Sequence, residues 1–233
     1  MKRSTPPEMN RIGFYLLVLI IQLISCSSFA QDEILDDKKL SKSKEFKSIE
    51  EALEKPEKVY KLNLSNKNLT VIPADIGKFK NLQKLDLSSN KLKTVPKEIS
   101  KLRKLQSLNL SKNTTINLSQ VFGFFGKSKV LTEIVLTENT IRILPDNISK
   151  IQGIQTIDLS YNPELSLKQL FKTLSKLPNL KTLSLVECNI TTFPDEIGGL
   201  KASLRELNIN WNRISETERQ KLKVLLPNTI IIY

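Results

Sequence analysis

The chain has 233 residues and a formal charge of +12, with 36 Lys and Arg against 24 Asp and Glu. It has no histidine, which excludes imidazole acid–base catalysis and His metal ligation, and its two cysteines, Cys26 and Cys188, cannot supply a disulfide framework. Residues 1–30 carry +2 and residues 31–58 carry −2, so the remainder holds a further +12.

Met1 to Arg11 is polar and mildly basic. Ile12 to Ile24 is apolar apart from Gly13 and Gln22, too short for a comfortable membrane span. With Ser-Cys-Ser-Ser-Phe-Ala-Gln directly after it, residues 1–30 have the three regions of a secretory signal peptide. Two processing sites compete. Ser28 and Ala30 suit ordinary cleavage before Gln31, whereas Leu23-Ile24-Ser25-Cys26 resembles a bacterial lipobox in which Cys26 is acylated. The first is expected. It places the protein outside a bacterial cytoplasm, secreted, periplasmic or on the cell surface, with a membrane anchor only if Cys26 is lipidated.

Residues 31–45 are charged and poor in apolar side chains, the composition of a linker. Phe46, Ile49 and Leu53 follow at helical spacing, with Ser48 and Glu51 placed as a capping box and Pro56 as a stop. Residues 46–58 are therefore expected to form an N-terminal capping helix.

From Val59 the chain repeats itself. The stretch LQKLDLSSNKLKTVPKEI, Leu82 to Ile99, alternates like a strand at Leu85 and Leu87, turns at Ser89-Asn90, and cannot continue past Pro96. Its apolar triplet recurs at Leu62, Leu108, Ile134, Ile157, Leu183 and Leu207, with successive spacings of 23, 23, 26, 23, 26 and 24 residues. A period in the low twenties with L-x-x-L-x-L-x-x-N-x-L resembles the leucine-rich repeat family. The resemblance implies an α/β fold: a right-handed solenoid or horseshoe with a parallel concave sheet of about eight strands and short helical or extended convex segments. Seven repeats span 59–212.

Four returns contain Ile72-Pro73, Val95-Pro96, Leu144-Pro145 and Phe193-Pro194, and are expected to be extended or short helical turns. The third and fifth returns are longer, lack that apolar-proline pair, and match each other at an offset of 49 residues: Leu118, Val121, Phe122 and Phe125 against Leu167, Leu170, Phe171 and Leu174. These two predict helices. Residues 213–233 read as a C-terminal cap: Ser215 and Glu218 open a helix, and a final strand places Ile230 and Ile232 in the phase of Leu207 and Ile209.

Two sets of site residues follow. Asn90, Asn113, Asn139, Asn162 and Asn212, with Cys188 in the sixth repeat and Lys67 in the first, form a column at the strand-to-turn corner. A buried Asn there can donate to and accept from neighbouring backbones, giving a structural ladder. Cys188 is expected to be a buried thiol. The outward residues of the strands line the concave face, and the ligand-binding set is Asp86, Asn109, Val135, Glu138, Asp158, Tyr161, Val186, Glu187, Asn208 and Trp211. Outward positions hold five basic and six acidic residues, so the excess positive charge lies on the convex side and flanks. The several Asn-x-Ser/Thr triplets are by-products of the repeat and carry no glycosylation reading.

The function expected is non-catalytic recognition of a protein or peptide on the concave face by a monomer, with no metal and no cofactor. The alternative is an anionic surface (acidic glycan, lipid headgroup or nucleic acid) held by the basic convex face, with nucleic acid disfavoured by export.

Overall fold

The computed structural model describes residues 34–126 and 128–233; the leader expected over 1–30, with Cys26, lies outside them. Among these described residues, nine strands run in chain order through one open parallel sheet: β1 Glu45–Phe46, β2 Lys61–Asn63, β3 Lys84–Asp86, β4 Ser107–Asn109, β5 Glu133–Val135, β6 Thr156–Asp158, β7 Thr182–Ser184, β8 Glu206–Asn208 and β9 Ile230–Ile232. Among the described residues five α-helices accompany them: α1 Asp37–Lys42, α2 Ile49–Leu53, α3 Leu118–Phe125, α4 Leu167–Leu174 and α5 Glu216–Leu225. The middle residue of each repeat strand pairs with its counterpart, Leu62 with Leu85, then Leu108, Ile134, Ile157, Leu183 and Leu207 in turn. All seven are buried and stack into one continuous core. No coil could bury that face alone, so stability comes from neighbours.

Return length decides return structure. Pro73, Pro96, Pro145 and Pro194 each sit directly before a short 3₁₀ turn: Ala74–Lys78, Lys97–Lys101, Asp146–Lys150 and Asp195–Leu200. Proline fixes φ and lacks an N–H, which suits a helical start. The two longer returns, which lack a proline at that position, hold α3 and α4. Phe122 and Phe171, 49 residues apart, are both fully buried, and Phe171 lies 6.1 Å from the Phe193 ring.

Both ends differ from expectation. The stretch 31–45 is not a free linker over its described part. Asp36 caps α1 by accepting from Lys39 N–H at 2.8 Å, and Leu40 is buried. The carboxamide of Gln83, itself buried, accepts from Leu35 N–H at 2.9 Å and donates to Leu35 O at 3.0 Å. Phe46 belongs to β1, opposite Leu62, and not to the capping helix, so the sheet gains a ninth strand. The helix begins after Ser48, whose Oγ accepts from Glu51 N–H at 3.1 Å, while Glu51 accepts from Lys47 N–H at 3.1 Å.

At the other end, β8 pairs with β9 as Glu206 with Ile230, Leu207 with Ile231 and Asn208 with Ile232. The spacing is 24, one more than the expected phase, and a one-residue slip turns every side chain to the opposite face. Ile231 packs on the core, whereas Ile230 and Ile232 stand on the concave side, 68% and 36% exposed. Helix α5 is fixed to the preceding coil: Glu218 accepts from Phe193 N–H at 2.6 Å and Lys221 Nζ donates to Phe193 O at 2.7 Å. The hydrogen bond to Asp195 raises the Lys221 pKa.

Candidate functional site

The corner column is a ladder of side-chain amides joining adjacent coils. Asn162 Oδ1 accepts from Asn139 N–H at 3.1 Å and Ile141 N–H at 2.9 Å, in the preceding coil. Its Nδ2 donates to Leu136 O, Leu159 O and Ser160 O at 2.9–3.1 Å. Asn90 and Asn212 repeat the pattern, each accepting from two backbone amides and donating to three carbonyls. Asn113 accepts from Leu92 N–H, and Asn139 accepts from Asn113 N–H. Cys188 fills the sixth rung with Sγ 3.3 Å from Leu159 O. Burial pushes its thiol up to about 11, so it is protonated at neutral pH and is no nucleophile there.

The concave columns do two different jobs. Asp86, Asn109, Asp158 and Asn208 each turn a side-chain oxygen onto the backbone N–H two residues on, at 2.8–3.1 Å. These are Asx turns, which start the bend after each strand. Where the repeat carries Val135 or Ser184 instead, the preceding coil supplies the acceptor: Ser111 Oγ takes Thr137 N–H and Ser160 Oγ takes Val186 N–H. Part of the expected binding set is therefore engaged in shaping the turn.

The column before the ladder lies beyond the strand, in the turn. Asn66, Ser89, Lys112, Glu138, Tyr161, Glu187 and Trp211 all have φ between 51° and 60°. Left-handed backbone costs a non-glycine residue roughly 1–2 kcal/mol. Here it reverses the chain so that the next residue can enter the core, an Asn in five coils and Cys188 in the sixth, while Lys67 in the first coil stays exposed. Glu138 is paired with Lys112 at 3.0 Å, and Val186 is half-buried with its carbonyl accepting from Tyr161 N–H. Glu187 is exposed. Tyr161 is 44% exposed and Trp211 80% exposed, so Trp211 does not cover the C-terminal helix.

Models described as leucine-rich repeats match residues 57–114, 179–200 and 201–216. These spans fall on the coils whose triplets and amide rungs are in register. The chain belongs to the leucine-rich repeat proteins. The crystal structure of an internalin (inlF) from Listeria monocytogenes matches with a TM-score of 0.55 and 22% identity, over 77% of this chain and 48% of that one. The repeat protein thus spans about half of that internalin's length. The plant peptide hormone receptor RGFR1, solved in complex with RGF2, is 27% identical with a TM-score of 0.43, over 66% of this chain and 28% of the receptor. A Leptospira interrogans leucine-rich repeat protein is 18% identical with a TM-score of 0.29, over 76% and 84% of the two chains. No curated protein matches this sequence.

Within this leucine-rich repeat solenoid the expected binding residues do not converge on one pocket. Asp86, Asn109 and Val135 line a shallow concave depression of about 280 Å³ with Lys61, Lys84 and Glu133. Tyr161 and Trp211 stand towards the C-terminal strands, outside it. Ile230 and Ile232, which sequence phase directed inward, join Trp211 at that end. Their signal was the 24-residue spacing, hidden because Ile230, Ile231 and Ile232 are all apolar. Among the described residues, no group of three or more His, Cys, Asp or Glu is placed to hold a metal ion. Two clefts, of about 800 and 750 Å³, lie off the sheet, on the flank where the chain comes up to the strands.

Proposed function

We propose that this leucine-rich repeat protein is a non-catalytic recognition module that binds a protein or peptide on its concave face. Tyr161, Trp211, Ile230 and Ile232 supply the apolar anchors, and Glu138, Asp158, Val186, Glu187 and Asn208 border them. The observation that carries this reading is Trp211. It is the only tryptophan, it is 80% exposed, and its backbone is left-handed, a conformation that favours Gly or Asn. Nothing in the packing asks for an indole there.

A partner that covers the ring buries on the order of 150–200 Å², about 4–5 kcal/mol of gross transfer energy. Ordering costs reduce the net gain, but the amide ladder has already fixed the backbone, which keeps those costs small. The near-neutral face also suits an anchored partner better than a polyanion. The leader supports export, with the partner outside the cytoplasm and the protein acting as a monomer. Among the described residues no helix is long and apolar enough to cross a membrane.

The test is a parallel capture with wild-type, Trp211→Ala and Lys101→Glu/Lys104→Glu baits, scored by quantitative mass spectrometry. A partner retained by wild type and the lysine variant but lost with Trp211→Ala is expected. A folded Trp211→Ala bait that retains every partner of the wild type would refute the concave reading.

A further inference from the structure

The flank clefts are not explained by the concave face. One lies between Pro56-Glu57 and the coils bearing Lys80 and Arg103, and the next continues from Arg103 to Lys129 and Lys150. Among the described residues, their walls together carry seven cationic side chains and one acidic one, Glu57. That is a large share of a chain whose total charge is +12.

The charges follow the repeat. Lys80, Arg103 and Lys129 are separated by 23 and 26 residues, the spacings of Leu85, Leu108 and Ile134, so one repeat position is cationic on three successive coils. Lys101 and Lys150 share a second position at the 49-residue offset. All five are exposed, and among the described residues none of them makes an ion pair. Lys78, by contrast, is paired with Asp75 at 2.6 Å. Lys80 Nζ is held by a neutral acceptor, Gly77 O at 2.6 Å, which fixes the ammonium without cancelling its charge. Elsewhere on the surface, lysines at 39, 44, 112, 168, 176 and 221 do have carboxylate partners.

We propose that this flank is a binding site for an acidic polysaccharide lying along the solenoid axis across the coils that carry Lys80, Arg103 and Lys129. The cations take its sulfate, phosphate or carboxylate groups. The walls between them are mixed: Pro56, Phe124 and Val130 are apolar, and Ser100 and Ser128 are neutral hydrogen-bonding groups. A sugar ring offers an apolar C–H face and hydroxyls to match both, whereas a bare phosphate chain offers neither. A single-stranded nucleic acid would need aromatic platforms for its bases, and Phe124 is half-buried. A bilayer surface is flat and cannot enter clefts recessed between coils. This inference is independent of the concave reading and uses none of its residues.

The test is fluorescence anisotropy of a labelled, sulfated heparin octasaccharide titrated with the full chain. Wild type is expected to bind, with affinity falling as salt rises. Arg103→Glu/Lys129→Glu should weaken binding by at least about tenfold and lower the salt slope, since two anion contacts are lost. Lys201→Glu/Lys223→Glu, the same charge change at exposed sites near the C-terminal cap, should weaken it less than about twofold. Unchanged far-UV spectra and melting temperatures confirm that both variants fold, and the milder Lys80→Gln/Lys101→Gln pair, expected to lose at least about threefold, serves if they do not. No binding by wild type, or equal loss in both reversal variants, overturns the site. An inorganic polyphosphate of matched charge that binds as tightly overturns the assignment to a polysaccharide.

Discussion

Removing one rung of the ladder should cost more than its size suggests, and Asn162→Ala is the sharpest case. The side chain is fully buried and makes five hydrogen bonds, two as acceptor and three as donor. Alanine leaves the N–H groups of Asn139 and Ile141 without their acceptor inside the protein. Each buried orphan costs about 1–3 kcal/mol, so relaxation of the corner should leave a loss of about 3 kcal/mol. Asn113 accepts from one backbone amide, Leu92 N–H, and Asn113→Ala should lose about 1–3 kcal/mol, below Asn162. The Cys188 thiol makes only weak contacts, to Leu159 O and Val186 O, and Cys188→Ala should cost about 1 kcal/mol through lost packing. Urea denaturation followed by far-UV circular dichroism gives the series from midpoint shifts at constant m. The Asn162 loss corresponds to roughly 6–12 °C in melting temperature for a domain of this size. If Asn162→Ala destabilises no more than Cys188→Ala, the amide is not what joins the coils, and the reasoning fails.

The Cys188 thiol, with its pKa pushed up to about 11, should resist a thiol-reactive disulfide at pH 8 and react at the rate of unfolding; fast stoichiometric reaction on folded protein would contradict its burial. The 24-residue register at β9 makes Ile231→Lys destabilising by about 2 kcal/mol and Ile230→Lys neutral within about 0.5 kcal/mol, measured by thermal melts. The opposite ranking would restore the one-residue-shorter phase. Glu187→Gly should be neutral or stabilising by up to about 1 kcal/mol, because glycine adopts positive φ without strain, and a clear loss in the same melts would show that the side chain supports the fold. Intact-mass analysis of native material should place the mature N-terminus at Gln31; a diacylglycerol-modified Cys26 would replace that reading with a lipid anchor.

The fold was legible because the repeat writes it seven times. Leu85 or Asn90 alone says little, but recurrence at a fixed spacing assigns each to the core or to the ladder. The left-handed column was not legible. Lys112, Glu138, Tyr161 and Trp211 have no shared propensity for positive φ, and only the turn they occupy imposes it. The concave set was read from repeat position alone, whereas the Asx turns of Asp86, Asn109, Asp158 and Asn208 depend on where a side-chain oxygen points, which spacing does not record. At β9, three consecutive isoleucines erase the alternation that normally fixes parity. The phase is set by Ile230 N–H bonding to Arg205 O at 2.8 Å and Thr229 Oγ1 to Leu204 O at 3.1 Å. The N-terminal segment looked like a linker because the Gln83 carboxamide that holds Leu35 is 48 residues away.

The concave site is tested most directly with peptides selected from a random library on the immobilised mature chain, with affinities then measured by fluorescence anisotropy. Trp211→Ala and Ile230→Glu/Ile232→Glu should each weaken binding by at least about tenfold, the loss expected for a central anchor. Melting temperature should hold, because Trp211 and Ile230 are mostly solvent-exposed and Ile232 is about a third exposed. Peptide affinities unchanged in both variants, with the fold intact, would contradict the concave site.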